Sequence, residues 1–238
     1  MTALLIAFNI PTAAAQWRAE AYAGKFFPLR SDLEIRGPRP GDRITFYSVE
    51  WEDRSFDSPL YYGFRIGRYG IISKRSGLEL EFIHAKVYSD PAQRLQVEGM
   101  LDGAPVEGLS RLGDRLQRFS LSHGLNFLLG NVVWRPARRE DDGFFSRNGV
   151  HALMRFGAGW TLPHTESVME GLGREQYEFG GPAVQGSISC VLPLTRGFSV
   201  NLEYKFTHAR LRGLGLANGE ANLVINGSHL VFGPVYLF

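Results

Sequence analysis

The chain has 238 residues, 44% of them apolar and 21% charged, with a formal net charge of +2. That content excludes a disordered or fibrous chain, and so small a net charge argues against nucleic acid as a partner. One cysteine, Cys190, excludes an intramolecular disulfide and any multi-cysteine metal centre.

No apolar run reaches the roughly 20 residues of a membrane-spanning helix. The 28 glycines, 17 Phe and 9 Tyr instead suit an all-β chain with girdles of rings. A transmembrane β-barrel escapes hydropathy because its strands alternate apolar and polar residues. Residues Met1–Ile10 are apolar, and Pro11 and Ala13-x-Ala15 follow; this resembles the core and cleavage site of a secretory signal without its positive leader. We therefore expect a signal remnant over 1–15 and an outer-membrane barrel domain over 16–238.

Period-2 alternation predicts eight strands. The first, over 17–28, is weakly patterned. The second, 60–69, sets Tyr62, Phe64 and Ile66 against Gly63, Arg65 and Gly67. The third, 77–88, sets Leu78, Leu80 and Phe82 against Glu79 and Glu81. In the fourth, 119–135, the apolar and expected lipid-facing set is Leu121, Leu125, Phe127, Leu129 and Val133. The fifth, 149–163, carries Met154, Phe156, Trp160 and Leu162 against His151 and Arg155; the sixth is 179–192. The seventh alternates Phe198, Val200, Leu202, Tyr204 and Phe206 with Ser199, Asn201, Glu203, Lys205 and Thr207. The eighth, 221–238, ends Leu230-x-Phe232-x-Pro234-x-Tyr236-x-Phe238, the pattern of a terminal outer-membrane strand.

The strand number is even, and short links at 70–76, 136–148 and 193–197 alternate with long ones at 29–59, 89–118 and 164–178 and a glycine-rich link at 210–220. Both are properties of an up-and-down antiparallel transmembrane barrel in the bacterial outer membrane. The apolar faces are long enough to cross a bilayer. The opposite faces carry Arg65, Glu79, Glu81, Arg155, Glu203 and Lys205, which predict an interior ion-pair network, because eight strands enclose little more than their own side chains. A soluble lipocalin-like barrel would need an apolar lumen and leaves the terminal Phe unexplained.

Four histidines, His84, His123, His164 and His208, fall at the outer ends of strands with lipid-face parity. The strands of His84, His123 and His164 are consecutive, so the three can converge at the outer leaflet, with Glu166 and Glu178 within reach and Lys86 sharing the parity of His84. Three histidines and a carboxylate suit a divalent metal, although histidine also sits at membrane interfaces for no chemical purpose. His151 and His229 read as structural, and Cys190 as a small lipid-facing residue. Phosphate-loop, dinucleotide, zinc-protease and nucleophile-elbow motifs are absent.

The segments Tyr61-Tyr-Gly-Phe-Arg65, Phe82-Ile-His-Ala-Lys-Val-Tyr88, His123-Gly-Leu-Asn126, Pro163-His-Thr-Glu166, Tyr177-Glu-Phe-Gly-Gly-Pro-Ala-Val-Gln185 and Glu203-Tyr-Lys205 together resemble the lipid A oxidase family of outer-membrane barrels. The resemblance spans about residues 50 to 238, and His123 departs from it where an acidic residue is expected. It implies oxidation of the proximal glucosamine of lipid A to 2-aminogluconate, with O2 as co-substrate and a divalent metal ion. Strand parity, not the resemblance, names the residues: His84, His123 and His164 as metal ligands, and His84 and His164 with Glu166 and Glu178 as the catalytic set. Lys86, Arg210 and Arg212 would bind the phosphates of lipid A in the outer leaflet. The expected protein is a monomer with no nucleic-acid partner. The alternative is a non-catalytic structural or interaction barrel.

Overall fold

A computed structural model describes residues 16–136, 149–195 and 197–238. The signal reading at 1–15 and the link at 137–148 lie outside the described residues. Eight strands hydrogen-bond into a closed antiparallel ring: β1 (Gln16–Pro28), β5 (Tyr62–Tyr69), β6 (Ser76–Ser89), β9 (Arg118–Trp134), β10 (His151–Met169), β12 (Gly181–Pro193), β13 (Phe198–Leu216) and β14 (Gly219–Leu237). They correspond one for one to the eight expected strands. The seam is β1 against β14, with Glu20 opposite Val235 and Ala23 opposite Phe232. Phe238 finishes it: its N–H and carbonyl exchange bonds with those of Trp17, both at 3.1 Å.

Alternation builds two unlike surfaces. Outside, rings and branched chains such as Leu80, Phe156, Ile188, Tyr204 and Phe232 are exposed. These residues form an apolar belt that in β10 runs over 152–162 and in β13 over 198–206. Inside, Arg65 contacts Glu20 at 3.1 Å, Glu79 at 3.4 Å, Glu81 at 2.5 Å and Glu203 at 2.9 Å. Arg155 reaches Glu79 at 2.9 Å, Lys205 reaches Glu81 at 2.5 Å, and Arg18 reaches Glu20 at 2.5 Å. Four carboxylates thus face four cations, all buried, and the layer is neutral. Asn131, Gln185 and Tyr22 also donate to Glu81. The lumen is filled by this network, as the charged faces predict.

One face is inverted relative to the sequence reading. In β9 the set Leu121, Leu125, Phe127, Leu129 and Val133 is buried, while Leu128, Val132 and Trp134 are exposed. Above the ion layer the interior turns apolar, so β9 carries large residues on both faces and its alternation does not say which one meets lipid. Of those inner residues Leu121, Leu125, Phe127 and Leu129 join a cap, while Val133 packs separately with Tyr69, Leu153 and Val191. The connections expected as loops contain β2 (Ser31–Arg36), β3 (Arg43–Val49), β4 (Trp51–Glu52), β7 (Arg94–Leu101), β8 (Ala104–Arg111) and β11 (Leu172–Tyr177). The strands β2, β3, β7 and β8 extend the barrel sheet outward from β14. Leu33, Ile35, Phe46, Val97 and Leu112 pack from above on Phe127, Leu125 and Ile225.

Two expected outcomes follow from this packing. Arg65→Ala strands buried carboxylates and should cost about 3–5 kcal/mol, read by denaturant titration of the barrel in lipid vesicles; a loss under about 1 kcal/mol would contradict an ion layer that depends on its central guanidinium. Phe156→Arg on the lipid belt should cost about 2–4 kcal/mol, whereas Leu109→Arg on the outer hairpin, at a residue 75% exposed, should change stability by no more than about 0.5 kcal/mol.

Candidate metal centre at the outer rim

The regular alternation ends where β6, β9, β10 and β13 rise above the belt, and each carries a bulge or irregularity there. Bulges re-aim side chains and collect at barrel rims. In β9 the extra residues are Ser122–Gly124, set against both neighbours, and Gly124 has φ +127°. His123 therefore points outward although the apolar set of its own strand points in. A Cβ at 124 would lie 2.6 Å from His84 Nδ1 and 2.3 Å from Asn126 Oδ1, so this glycine makes room for the pair behind it.

β10 returns as β11 through Glu170 and Gly171, with φ +51° and +78°. Positive φ at both positions is the signature of a type I′ hairpin turn. The turn sets the register: His164 pairs with Tyr177 and Glu166 with Glu175. Directly opposed residues and their i+2 neighbours share a face, so His164, Glu166, Glu175 and Tyr177 all project to the same side. Glu178 lies on the other side.

Three ligand atoms meet here. His164 Nε2 lies 3.2 Å from Glu175 Oε1, and His123 Nδ1 lies 3.9 Å from the same oxygen. All three atoms are within 4.8 Å of one another. Ligands about 2.0–2.2 Å from a tetrahedral zinc-like ion stand roughly 3.4 Å apart, so the set suits a divalent cation. The two imidazoles make an edge contact with centroids 4.7 Å apart, and the Tyr177 ring covers His164 at 4.3 Å. His164 is buried while His123 and Glu175 are open to the outside. Burial pushes the His164 imidazole below its ordinary range, and the neighbouring His123 pushes it the same way. A neutral ring is the metal-binding form.

The other expected residues are dispersed around this group. Glu166 accepts from Arg118 at 2.6 Å and Ser120 at 3.3 Å. Burial pushes its carboxyl up, but those bonds and the Arg118 charge prevail and hold it below the usual range. His84 stacks on Tyr62 at 4.8 Å, with Nδ1 2.8 Å from Asn126 Oδ1. Because the Asn126 amide nitrogen donates to the Leu162 carbonyl, its oxygen accepts, so His84 Nδ1 carries the proton and Nε2 keeps a lone pair. That Nε2 is buried without a hydrogen-bond partner. His84 stands outside the three-ligand group.

Three placements differ from the sequence reading. Lys86 is not at an open rim: the connection before β5 folds over it, and its ammonium donates to the Asp57 carbonyl at 2.8 Å. The Glu178 carboxylate accepts the Gly215 N–H at 3.0 Å and a Gln176 N–H at 2.9 Å; Glu175 takes the place expected for it. Arg210 and Arg212 are exposed on β13, two strands from β10. Glu175 escapes a sequence reading that treats 164–178 as a loop, yet Glu170-Gly171 between two short patterned runs is the available hairpin signal. His208 bonds Asn226, His229 bridges Tyr61 and Thr207, and His151 bonds Arg135.

Glu175→Gln should weaken divalent-ion binding by at least about 100-fold, beyond the range of outer-shell changes, as read by titration calorimetry of the folded barrel. Histidine binds a metal as the neutral ring, so acid should release the ion, and burial sets the loss of the His164 ligand at a lower pH than for an exposed imidazole.

No family model matches the chain, and no curated protein matches it either. Solved structures do. OprG from Pseudomonas aeruginosa superposes with TM-score 0.50 at 12% identity, over 94% of this chain and 96% of that one. The outer-membrane protease OmpT from Escherichia coli gives 0.47 at 10%, over 94% and 97%, and Neisserial surface protein A gives 0.41 at 9%, over 93% and 96%. Identities this low speak to architecture alone, and OprG carries the likeness. With its ring of eight strands and its outward apolar belt, the chain has the fold of a β-barrel of the bacterial outer membrane.

Proposed function

We propose that this barrel oxidises the proximal glucosamine of lipid A to 2-aminogluconate. The observation that supports this reading most is the position of His123, His164 and Glu175: they gather on the outward face just above the lipid belt, at the level of outer-leaflet headgroup sugars. The motifs shared with lipid A oxidases support the same reaction. A barrel filled by ion pairs has no lumen for transport, so its chemistry belongs on the rim.

The reaction balances with O2 alone. The C1 hemiacetal loses its C–H hydrogen, its hydroxyl proton and two electrons to become a lactone, and O2 takes both electrons and two protons to become H2O2. Water opens the lactone, so the lipid gains one oxygen, about 16 Da in simple atom bookkeeping. His123, His164 and Glu175 would hold a divalent ion, which would supply Lewis-acid polarisation of a sugar oxygen. The chain's own groups do the rest. Tyr177 screens His164 from water, and the Arg118–Glu166 bond fixes the hairpin that presents Glu175.

Expression in a bacterium whose lipid A is unoxidised and carries a free C1 hydroxyl, followed by mass spectrometry of the extracted lipid, tests the reading. Wild type should yield the species heavier by about 16 Da; His164→Ala and Glu175→Gln should not. Folded, metal-supplied wild-type protein that leaves lipid A unchanged would sink it in favour of a non-catalytic barrel.

A further inference from the structure

We propose that the open edge of β8 pairs with the β8 edge of a second copy of this chain, giving a two-fold dimer where the sequence reading expects a monomer. The inference does not use the metal centre and stands apart from the oxidase reading. β8 is the last strand of the sheet that runs outward from β14 through β2, β3 and β7, and among the described residues no strand covers its other side. An exposed edge of this kind is a template for another strand. The hairpin fixes which backbone groups it offers. Asp102 and Gly103, with φ +54° and +75°, make the two-residue turn between β7 and β8. The residues that close the turn, Leu101 and Ala104, form a hydrogen-bonded pair, and so does every second pair beyond them, such as Val97 with Gly108 and Leu95 with Ser110. Glu107, Leu109 and Arg111 fall between those pairs, so their N–H and carbonyl groups point away from β7, toward the open edge.

The side chains on this edge are complementary to themselves. Glu107, Leu109 and Arg111 are exposed on one face of β8. Leu109, 75% exposed, is the most open large apolar side chain of the described residues, and it sits on the outer hairpin rather than in the lipid belt. Within the hairpin each charge is set against its own kind: Glu107 lies opposite Glu98, and Arg111 opposite Arg94. Like charges directly across two strands destabilise the pair, and neither Glu107 nor Arg111 makes an ion pair among the described residues. A two-fold axis through Leu109 corrects this. In that antiparallel register Leu109 faces the partner's Leu109, Glu107 faces the partner's Arg111, and Arg111 faces the partner's Glu107. Each facing pair exchanges both of its backbone hydrogen bonds. The Glu98–Glu107 pair gains a guanidinium beside it, and the Arg94–Arg111 pair a carboxylate. Axes at neighbouring positions set Glu107 or Arg111 against Leu109 or against its own copy, so this register alone joins the opposite charges. Pro105, which has no N–H to donate, ends the paired stretch. The same patch serves on both subunits, as a closed two-fold interface requires.

Sedimentation of the purified barrel in detergent micelles reads the dimer. Wild type should pass from monomer to dimer between about 1 and 100 μM, the strength of a small interface. Glu107→Arg and Arg111→Glu should each weaken association at least about 10-fold, because each sets like charges across the axis. The combined Glu107→Arg/Arg111→Glu variant should recover most of it. In lipid vesicles, with Cys190→Ser in every variant, Leu109→Cys should give a disulfide-linked dimer on mild oxidation, since facing residues of a hydrogen-bonded pair lie about 5.5 Å apart. Ser110→Cys, on the other face of the strand, should not. A wild type that stays monomeric over the whole range overturns the proposal, even if its edge takes up an unrelated extended peptide. So does a dimer that both single charge reversals leave intact, or one that cross-links as well through Ser110→Cys as through Leu109→Cys.

Discussion

Closure of the sheet is the constraint on which everything else here depends. In hydrocarbon no water is present to satisfy a free N–H or carbonyl, so a spanning sheet must leave no edge. The β1–β14 seam meets that demand down to Phe238. Once the ring is closed, alternation has two fates only: one side of each strand meets lipid and the other meets the lumen. The outward rings and the inward charges are consequences of that division.

An eight-strand lumen is too narrow for solvent, so charged side chains inside it must satisfy one another. Removing an ion from water costs several kcal/mol even after relaxation, and the chain offsets this by grouping Arg18, Arg65, Arg155 and Lys205 with Glu20, Glu79, Glu81 and Glu203 in one neutral layer. The same arrangement leaves no path through the middle. Higher up, the lumen is closed by apolar side chains under a cap of added strands. What remains accessible is the outer rim.

At the rim the constraint relaxes, and there the strands depart from strict alternation. The β9 bulge turns His123 outward, and the Glu170-Gly171 turn folds β11 back so that Glu175 reaches His164. Neither rearrangement is tolerable within the belt, where an extra residue would expose polar backbone to lipid. The candidate metal centre and the membrane belt thus occupy separate levels of the same strands.

This division also sets what was legible. Strand number, the terminal pattern, the ion pairs inside and the outward direction of His84 and His164 all follow from a period of two, because a membrane and a narrow lumen enforce that period. The face of β9 was not legible, since an apolar plug above the ions gives that strand large residues on both sides. Lys86 and Glu178 were misplaced, and Glu175 was unforeseen, because loop strands, bulges and a covering connection decide them. By itself the sequence determined a lipid-facing barrel with histidines at its outer end. Only the tertiary structure decided which histidine meets which carboxylate, because hairpin register and strand adjacency at the rim are set by hydrogen bonds between segments distant in the chain.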